Sequence, residues 1–320
     1  MTGEETSFQT SLQARAEAQG GVVLTAQARA EGWARGRLSR FLAAGGWTRV
    51  RHGAWLVPGR EVGPVELLWT HQLLRPELVV SHWSAAMLHG VGVGAGAGPP
   101  SGRPDFICSG PAAVKGATLH RLPLAPGEVT VVAGLRTTTV ARTMADLLRA
   151  GPRDDALIAV DSALSWRHGR GSGPPGSRGR PLTTLDEIGR ALTTAPSIRG
   201  AATAAWWLAM ADPRSGSPAE TLARLRIHDA GLHPETQAML VVPATGRRVY
   251  PDFLFRPQGL AVETEGYTWH GSRSQHQRDV IRFNDLAACP EVRRILRFTT
   301  ADVYHRPDMM IRDIRGALAG

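Results

Sequence analysis

Acidic residues inside apolar, strand-like segments are the feature that most constrains the fold of this sequence. Asp252 lies in the run VYPDFLF, and Glu263 and Glu265 lie in the run LAVETEG shortly after it. Side chains two positions apart on a strand point to the same face, so the two glutamates are expected to emerge together. A tight turn at Pro257–Gly259 would bring them beside Asp252. The sequence therefore predicts three carboxylates on neighbouring strands.

Carboxylates flanked by core-forming residues are costly to leave unpaired. A hard cation such as Mg²⁺, which prefers oxygen ligands, would offset that cost. The alternative is an edge hairpin with a solvated acidic face. The strand pattern alone does not decide between a metal site and a solvated face.

A further acid precedes these strands. Ser217 is predicted to cap a helix that begins at Pro218, and Glu220 follows three residues after the cap. This spacing is typical of a capping box, in which the third residue bonds back to the cap. Glu220 therefore has a structural interpretation beside a functional one.

Seven short motifs follow one another over about residues 215–308: S-P-x-E at 217–220, P-E-x-Q at 234–237, P-D-F around Asp252, V-E-x-E-G at 262–266, W-H at 269–270, R-D-x-x-R at 278–282 and L-R-F-T at 296–299. Several motifs in a fixed order are more specific than any one of them. This order resembles the core of PD-(D/E)XK nucleases, and more narrowly the branch related to very-short-patch-repair (Vsr) endonucleases.

The resemblance implies catalytic roles for five residues: Asp252, Glu263, Glu265, His270 and Glu220. It implies that Mg²⁺, or Mn²⁺ in its place, is held by three of them: Asp252, Glu263 and Glu220. His270 would act as a general acid or base or would position water, since imidazole titrates near neutral pH. A helix-cap or core histidine is the alternative.

The same resemblance gives supporting roles to Gln237, Asp279 and Arg282, and for the first two a purely structural role is equally open. The sequence also departs from the nuclease pattern. The motif's lysine is missing, since Lys115 is the only lysine of the chain, and Glu265 stands in its place.

A basic N-terminal region is the second informative feature. Thr25 is predicted to cap a helix over Ala26–Glu31, and a second helix is predicted over Arg35–Ala44. Two short strands about a His52-Gly53 turn follow, so the pattern is typical of a winged helix-turn-helix. The predicted DNA-binding residues are Arg35, Arg37, Arg40, Arg49 and Arg51. The alternative is that these arginines are simply solvated.

Residues 20–60 resemble the N-terminal domain of AbiEi-type antitoxins, in which a winged helix binds operator DNA. The following segment continues that likeness in S-H-x-S-A-A at 81–86 and R-T-x-x-D at 142–146. His82 and His89 are interpreted as structural, because no metal-ligand spacing accompanies them. We find no chemistry in this middle segment.

We predict an α/β (α+β) protein with a winged helix-turn-helix, a mixed α/β unit and a restriction-endonuclease-like core whose mixed sheet is flanked by helices. The predicted bounds are 1–62 for the winged helix, 63–167 for the middle domain, 168–182 for a flexible linker and 183–320 for the nuclease domain. The linker is rich in glycine, proline and arginine and cannot bury a core.

The formal charge of +9 favours a polyanionic partner, although net charge does not identify one. No apolar run is long enough for a membrane span, the first ten residues do not have the pattern expected of a secretion signal, and the two cysteines form no spaced motif. We expect a cytoplasmic protein with no membrane partner.

The predicted function is a metal-dependent endonuclease that hydrolyses DNA under winged-helix direction, in defence or repair. The alternative is a DNA-binding regulator or antitoxin whose C-terminal domain is catalytically silent. An RNA substrate, a homodimer and a toxin-like partner stay open.

Overall fold

A computed structural model describes residues 3–93, 102–108, 110, 113–165, 180–194, 199–265 and 273–320, with the side chains of 3–9 and 273–279 left out. The chain divides into two compact units, one of Met1–His89 with Gly98–Thr143 and one of Gly90–Ala97 with Met144–Gly320. Both units contain helices and strands, which confirms the predicted mixed α and β class.

The first unit joins a helical N-terminal part to a small sheet. Its helices are α1 (Gly3–Ala18), α2 (Thr25–Ala30), α3 (Arg35–Ala44), α4 (Pro64–Leu74) and α5 (His82–Leu88), and α6 (Val140–Ala150) crosses into the second unit. Its strands are β1 (Val22–Leu24), β2 (Thr48–Arg51), β3 (Ala54–Leu56), β4 (Val79–Val80), β5 (Asp105–Ile107), β6 (Thr118–His120), β7 (Val129–Val132) and β8 (Leu135–Thr138).

The N-terminal part has the predicted winged-helix arrangement. Helices α2 and α3 are followed by the antiparallel pair β2–β3, and β1 adds to the other edge of β3. The hairpin turns at Gly53, whose φ of +79° favours glycine. Leu38 and Leu42 of α3 are buried against Trp33 and Trp47, as the helical spacing predicts.

The prediction that Thr25 caps α2 is wrong. Thr25 is the first residue of the helix, and the cap position belongs to Leu24 at the end of β1. The backbone N–H of Leu24 donates to Gln27 Oε1 at 2.9 Å, so a glutamine supplies the missing acceptor. The Thr25 hydroxyl instead accepts from Trp55 Nε1.

The remaining strands of the first unit form a sheet of order β6-β5-β4-β8-β7. Two histidines of this region have structural partners. His89 bonds to the Thr138 carbonyl at 2.7 Å, and His82 stacks on His120 with ring centroids 3.5 Å apart. These contacts agree with the structural interpretation of both residues.

The second unit contains the predicted site. Its helices are α7 (Arg153–Leu164), α8 (Leu185–Thr193), α9 (Ala201–Leu208), α10 (Pro218–Asp229), α11 (Arg273–Ala287), α12 (Thr300–His305) and α13 (Pro307–Ala319). Its strands are β9 (Glu235–Thr236), β10 (Leu240–Val241), β11 (Arg248–Val249), β12 (Phe253–Phe255), β13 (Leu260–Glu265) and β14 (Arg294–Thr299). One sheet has the order β14-β13-β12-β9, with only β13 and β14 parallel to each other among its described strands.

The strand that joins the sheet beside β12 is not the one that directly precedes β12 in the sequence. The strand beside β12 is β9, whereas β10 pairs with β11 in a separate two-stranded ribbon. The ribbon closes on itself because Val242 N donates to the Arg247 carbonyl at 2.8 Å across a turn at Gly246. Asp252 accordingly lies just before β12 and not within it.

The first unit joins the winged helix to most of the middle segment, and the second unit includes α7. Asp161 of α7 explains the placement of this helix, since its buried carboxylate accepts from the Thr221 hydroxyl at 2.9 Å and from Arg224 at 2.7 Å on α10. Most of the predicted linker at 168–182 lies outside the described residues.

Both cysteines, Cys108 and Cys289, are buried free thiols. Among the helices of the described ranges, none is both long and apolar enough to cross a membrane.

Candidate functional site

Two predicted carboxylates lie side by side in the second unit. Phe253 of β12 pairs with Val262 of β13, and this register sets Asp252 opposite Glu263. The backbone N–H of Asp252 donates to Glu263 Oε1 at 3.2 Å. Both residues are buried, with 3% and 7% of their surfaces exposed. Apolar neighbours such as Leu254 fix the two strands and therefore the pair.

Asp252 is held at both carboxylate oxygens. Its Oδ2 accepts from the backbone N–H and the hydroxyl of Thr264 at 2.8 and 2.9 Å. Its Oδ1 accepts from Gln237 Nε2 at 3.0 Å and from Arg282 at 3.3 Å. Four donors to one buried carboxylate hold it in a single orientation.

The environment of Glu263 disfavours its charged form. Burial raises its pKa to about 8, the charge of Asp252 adds to the rise, and Arg282 opposes it. Arg282 Nη2 contacts Glu263 Oε2 at 2.8 Å. For Arg282 itself, burial acts to lower the pKa, but the charges of Glu263 and Asp252 outweigh it and leave the pKa raised. One guanidinium therefore serves as counter-charge to both carboxylates.

Glu220 reaches this pair through an amide. Gln237 Nε2 donates to Glu220 Oε2 at 3.2 Å as well as to Asp252. Gln237 has a φ of +51°, a conformation that costs a non-glycine residue energy and that clusters at functional sites. The strained backbone sets the amide between the helix and the strand. Gln237 thus joins two of the predicted ligands.

Glu220 also has a capping role, although not the one expected. Ser217 caps α10 by accepting from Glu220 N at 3.2 Å, as predicted. The Glu220 carboxylate accepts from the backbone N–H of Gly216 at 2.7 Å, one residue before the cap. The structural and the site interpretations of Glu220 therefore both have contacts behind them.

Glu265 emerges on the same strand but has a different partner. It forms an ion pair with Arg297 of β14, and both side chains are nearly half exposed. The guanidinium of Arg297 also lies over the ring of Phe283, 5.2 Å from its centroid. Because β14 is parallel to β13 with Arg297 opposite Glu263, the cation is available to the next glutamate on that face. The structure thus places Glu265 at the exposed edge of the carboxylate group.

Two predicted site residues have no described side chain. His270 lies outside the described residues, and Asp279 lies in α11 where only the backbone is described. No group of three or more His, Cys, Asp and Glu residues within the described ranges has the arrangement of a metal site. The contacts thus bring together Asp252, Glu263, Gln237 and Arg282, with Glu220 joined through the amide.

Thr264 is a site residue that the sequence patterns do not single out. Strand alternation assigns it to the face opposite the glutamates, yet its hydroxyl and N–H both reach Asp252. Its position between two acids of a V-E-x-E segment is the only signal that could have identified it.

The predicted DNA-binding arginines lie in the first unit and differ in exposure. Arg35, Arg37 and Arg40 are exposed on α3, and Arg49 is exposed on β2. Arg51 is half-buried and bonds to His71 Nδ1 at 3.0 Å. Four of the five guanidinium groups are therefore accessible, and the fifth is engaged within the unit.

Comparison with known families gives a match over one part of the chain. Residues 11–58 match the family described as transcriptional regulators of the AbiEi antitoxin type, which confirms the N-terminal resemblance. The matched region covers the described winged-helix elements from the second half of α1 to β3. Comparison of the chain with curated proteins gives no match.

Proposed function

We propose that the protein is a metal-dependent endonuclease that hydrolyses DNA phosphodiester bonds and is brought to DNA by its N-terminal winged helix. The observation that carries the proposal is the buried pair Asp252 and Glu263, set opposite each other on adjacent strands. Two buried carboxylates in contact are costly without cationic compensation, and such sites are typical of function.

A divalent cation fits the oxygen donors of this pair. Mg²⁺ in proteins is commonly bound by one or two carboxylates with water and substrate phosphate completing its shell, so a third protein ligand is not required. Asp252 and Glu263 would hold the ion, and Glu220 would contribute through its link to Gln237. The bound ion would neutralise charge on the phosphodiester and lower the pKa of a water molecule.

The chain's own groups supply orientation. Thr264 and Gln237 fix the two oxygens of Asp252, and Arg282 balances the negative charge of the pair. The Arg282 side chain is 46% exposed, so its guanidinium can also contact a phosphate oxygen. His270 remains the predicted general acid or base.

The N-terminal region supports DNA as the substrate. It matches a family of transcriptional regulators, and α3 presents three exposed arginines, Arg35, Arg37 and Arg40. Arginine contacts to phosphates supply affinity that does not depend on sequence. A role in defence or repair follows from the combination of DNA targeting and cutting.

The test is to incubate the full chain with plasmid, linear duplex and single-stranded DNA in Mg²⁺, Mn²⁺ or EDTA. Glu263→Gln removes one carboxylate from the proposed metal site, and Glu235→Gln, which alters an exposed glutamate on β9 of the same sheet, is the matched control. We expect metal-dependent cutting by the native protein and by Glu235→Gln only. Equal cutting by Glu263→Gln would show that the pair is not the active site.

A second candidate function has its own supporting observation. Arg282 already pairs with both carboxylates, and the described residues hold no three-ligand metal arrangement. If Arg282 takes the place of a metal ion at this pair, the protein is a DNA-binding regulator or antitoxin. Its partner would then be a toxin-like protein or a second copy of the chain. It predicts duplex binding that is unchanged by EDTA, and no cutting under any condition.

A further inference from the structure

A cleft of about 460 Å³ lies in the second unit, between α10 and the segments on either side of it in the sequence. Its walls are the 209–214 loop, one face of α10 and the 232–236 segment, with Arg214, His228, His233, Met210 and Leu232 among the lining side chains. The volume lies in the range of small-molecule sites. None of the roles assigned above uses this cleft.

Hydrogen bonds to a buried acid fix the cleft wall. Asp161 Oδ1 accepts from the backbone N–H of Asp212 at 2.8 Å, and its Oδ2 accepts from Arg224 at 2.7 Å. Arg224 also donates to the Met210 carbonyl at 2.6 Å. The loop is therefore tied to α10 and α7, and the cleft is formed without a ligand.

The chemistry of the lining combines a cation with flat apolar surfaces. Arg214 uses Nε and Nη2 on the carboxylate of Asp212, at 2.9 and 2.8 Å, while 62% of its side chain is exposed. His228 and His233 meet edge to face with ring centroids 5.1 Å apart. An exposed guanidinium suits phosphate, and imidazole and thioether surfaces suit a flat heterocycle.

Two elements carry residues of both the cleft and the carboxylate site. Arg224 lies one turn after Glu220 on α10, about 6 Å along the helix axis. Thr236 lines the cleft, and the next residue, Gln237, bonds to Asp252. The same helix and the same strand segment therefore contribute residues to the cleft and to the carboxylate site.

We propose that this cleft binds one unpaired nucleotide of the nucleic-acid substrate, with its base against His228 and Met210 and its phosphate at Arg214. The inference rests on the proposed nuclease function for its choice of a nucleic-acid strand as the source of that nucleotide. The contacts that form the cleft do not depend on a metal.

The test uses the full chain carrying Glu263→Gln, in EDTA, with deoxyadenosine monophosphate titrated by calorimetry. Deoxyadenosine and inorganic phosphate are titrated separately, and a single-stranded 12-mer of thymidine is added as competitor. We expect deoxyadenosine monophosphate to bind at least about ten-fold more tightly than deoxyadenosine or inorganic phosphate alone, because its base and its phosphate bind together. The 12-mer is expected to displace it.

Arg214→Gln and His228→Ala test the two contacts, with Arg256→Gln as the matched control. Arg256 is an exposed arginine paired with a glutamate, and it does not line the cleft. We expect about ten-fold weaker nucleotide binding in each of the first two variants, the order expected for one charge-assisted contact, and native binding in the control. Melting curves would check that each variant is folded.

The inference is overturned if the nucleotide does not bind at millimolar concentration, if neither cleft variant weakens it, or if inorganic phosphate binds as tightly. If the 12-mer does not compete, the nucleotide that binds in the cleft does not come from a nucleic-acid strand. Loss of the nuclease function would appear separately, as absence of cutting by the native chain while nucleotide binding persists. If both hold, Arg214→Gln should raise KM for single-stranded DNA and leave kcat unchanged.

Discussion

The N-terminal winged helix and the C-terminal carboxylate pair carry charge in opposite ways. On α3 the arginines are exposed and are spread along the helix, whereas Asp252 and Glu263 are buried and each contacts several donors. Exposed charge costs little and adapts to any polyanion. Buried charge must be compensated within the fold, which restricts it to one geometry.

The two arrangements of charge suit different tasks. The basic region is suited to affinity for a phosphate backbone, and its family match covers only that part of the chain. The carboxylate pair is suited to chemistry at a fixed point. Binding and cutting should therefore respond to different substitutions.

Asp252→Asn is expected to separate DNA cutting from DNA binding most clearly. The change keeps the shape of the side chain but removes a charge to which we assign metal binding. We expect cutting to fall by at least about 10²-fold, the order seen when one group that stabilises transition-state charge is lost. Duplex affinity in EDTA should equal that of the native protein. Loss of affinity together with cutting would contradict the separation.

The first unit should lose stability on the acid side because of His71. Burial lowers the pKa of His71 to about 4, with a further contribution from Arg51. A histidine whose folded pKa lies below its ordinary value stabilises the fold above that value and ceases to do so as pH falls. Between pH 6.5 and 4 we expect a loss of up to about 3 kcal/mol at this site. Denaturant titrations against pH would measure it.

His71→Gln should flatten that acid-side loss, since glutamine does not titrate. An unchanged slope in His71→Gln would assign the acid sensitivity to other groups.

Substitutions on α3 are expected to have the opposite effect to Asp252→Asn, weakening DNA binding and sparing DNA cutting. A triple variant with Arg35→Gln, Arg37→Gln and Arg40→Gln should weaken duplex binding about ten-fold or more at moderate salt, with the salt slope reduced by about 0.9 for each phosphate that is no longer neutralised. Cutting at saturating DNA should persist. Anisotropy titrations at several salt concentrations measure the slope, and an unchanged slope would show that these arginines are merely solvated.

The smallest expected difference is between the losses of stability caused by replacing Arg282 and Arg297. Both are about half exposed, but Arg282 pairs with two buried acids and Arg297 with the exposed Glu265. We expect Arg282→Met to destabilise the metal-free protein by about 1–2 kcal/mol, since screening reduces the cost of a broken buried pair. Arg297→Met should cost less than about 1 kcal/mol. Equal losses in denaturant titrations would contradict the distinction.

Local rules predicted the elements that carry the site but not all of its contacts. Strand alternation and the 257–259 turn correctly brought Asp252 beside Glu263, and the capping rule placed Ser217 at the start of α10. These features depend on neighbouring residues only. The catalytic roles themselves stay predictions.

Contacts between distant segments could not be read from local patterns. The pairing of β12 with β9 in place of β10 depends on how the ribbon closes, and the pairing of Glu265 with Arg297 depends on the parallel register of β14. Asp161 and Arg224 are 63 residues apart in the sequence, so the local pattern around either residue does not predict their ion pair. Burial and register decide such contacts, and both are properties of the folded chain.

The most direct measurement is a Mn²⁺ titration of the native chain and Glu263→Gln, with bound and free ion resolved by electron paramagnetic resonance. We expect saturable binding to the native protein, competition by Mg²⁺, and loss of that binding in Glu263→Gln while Glu235→Gln binds as the native protein does. Absence of Mn²⁺ binding by the folded native protein, with duplex binding intact, would contradict a metal-dependent site and support the regulator.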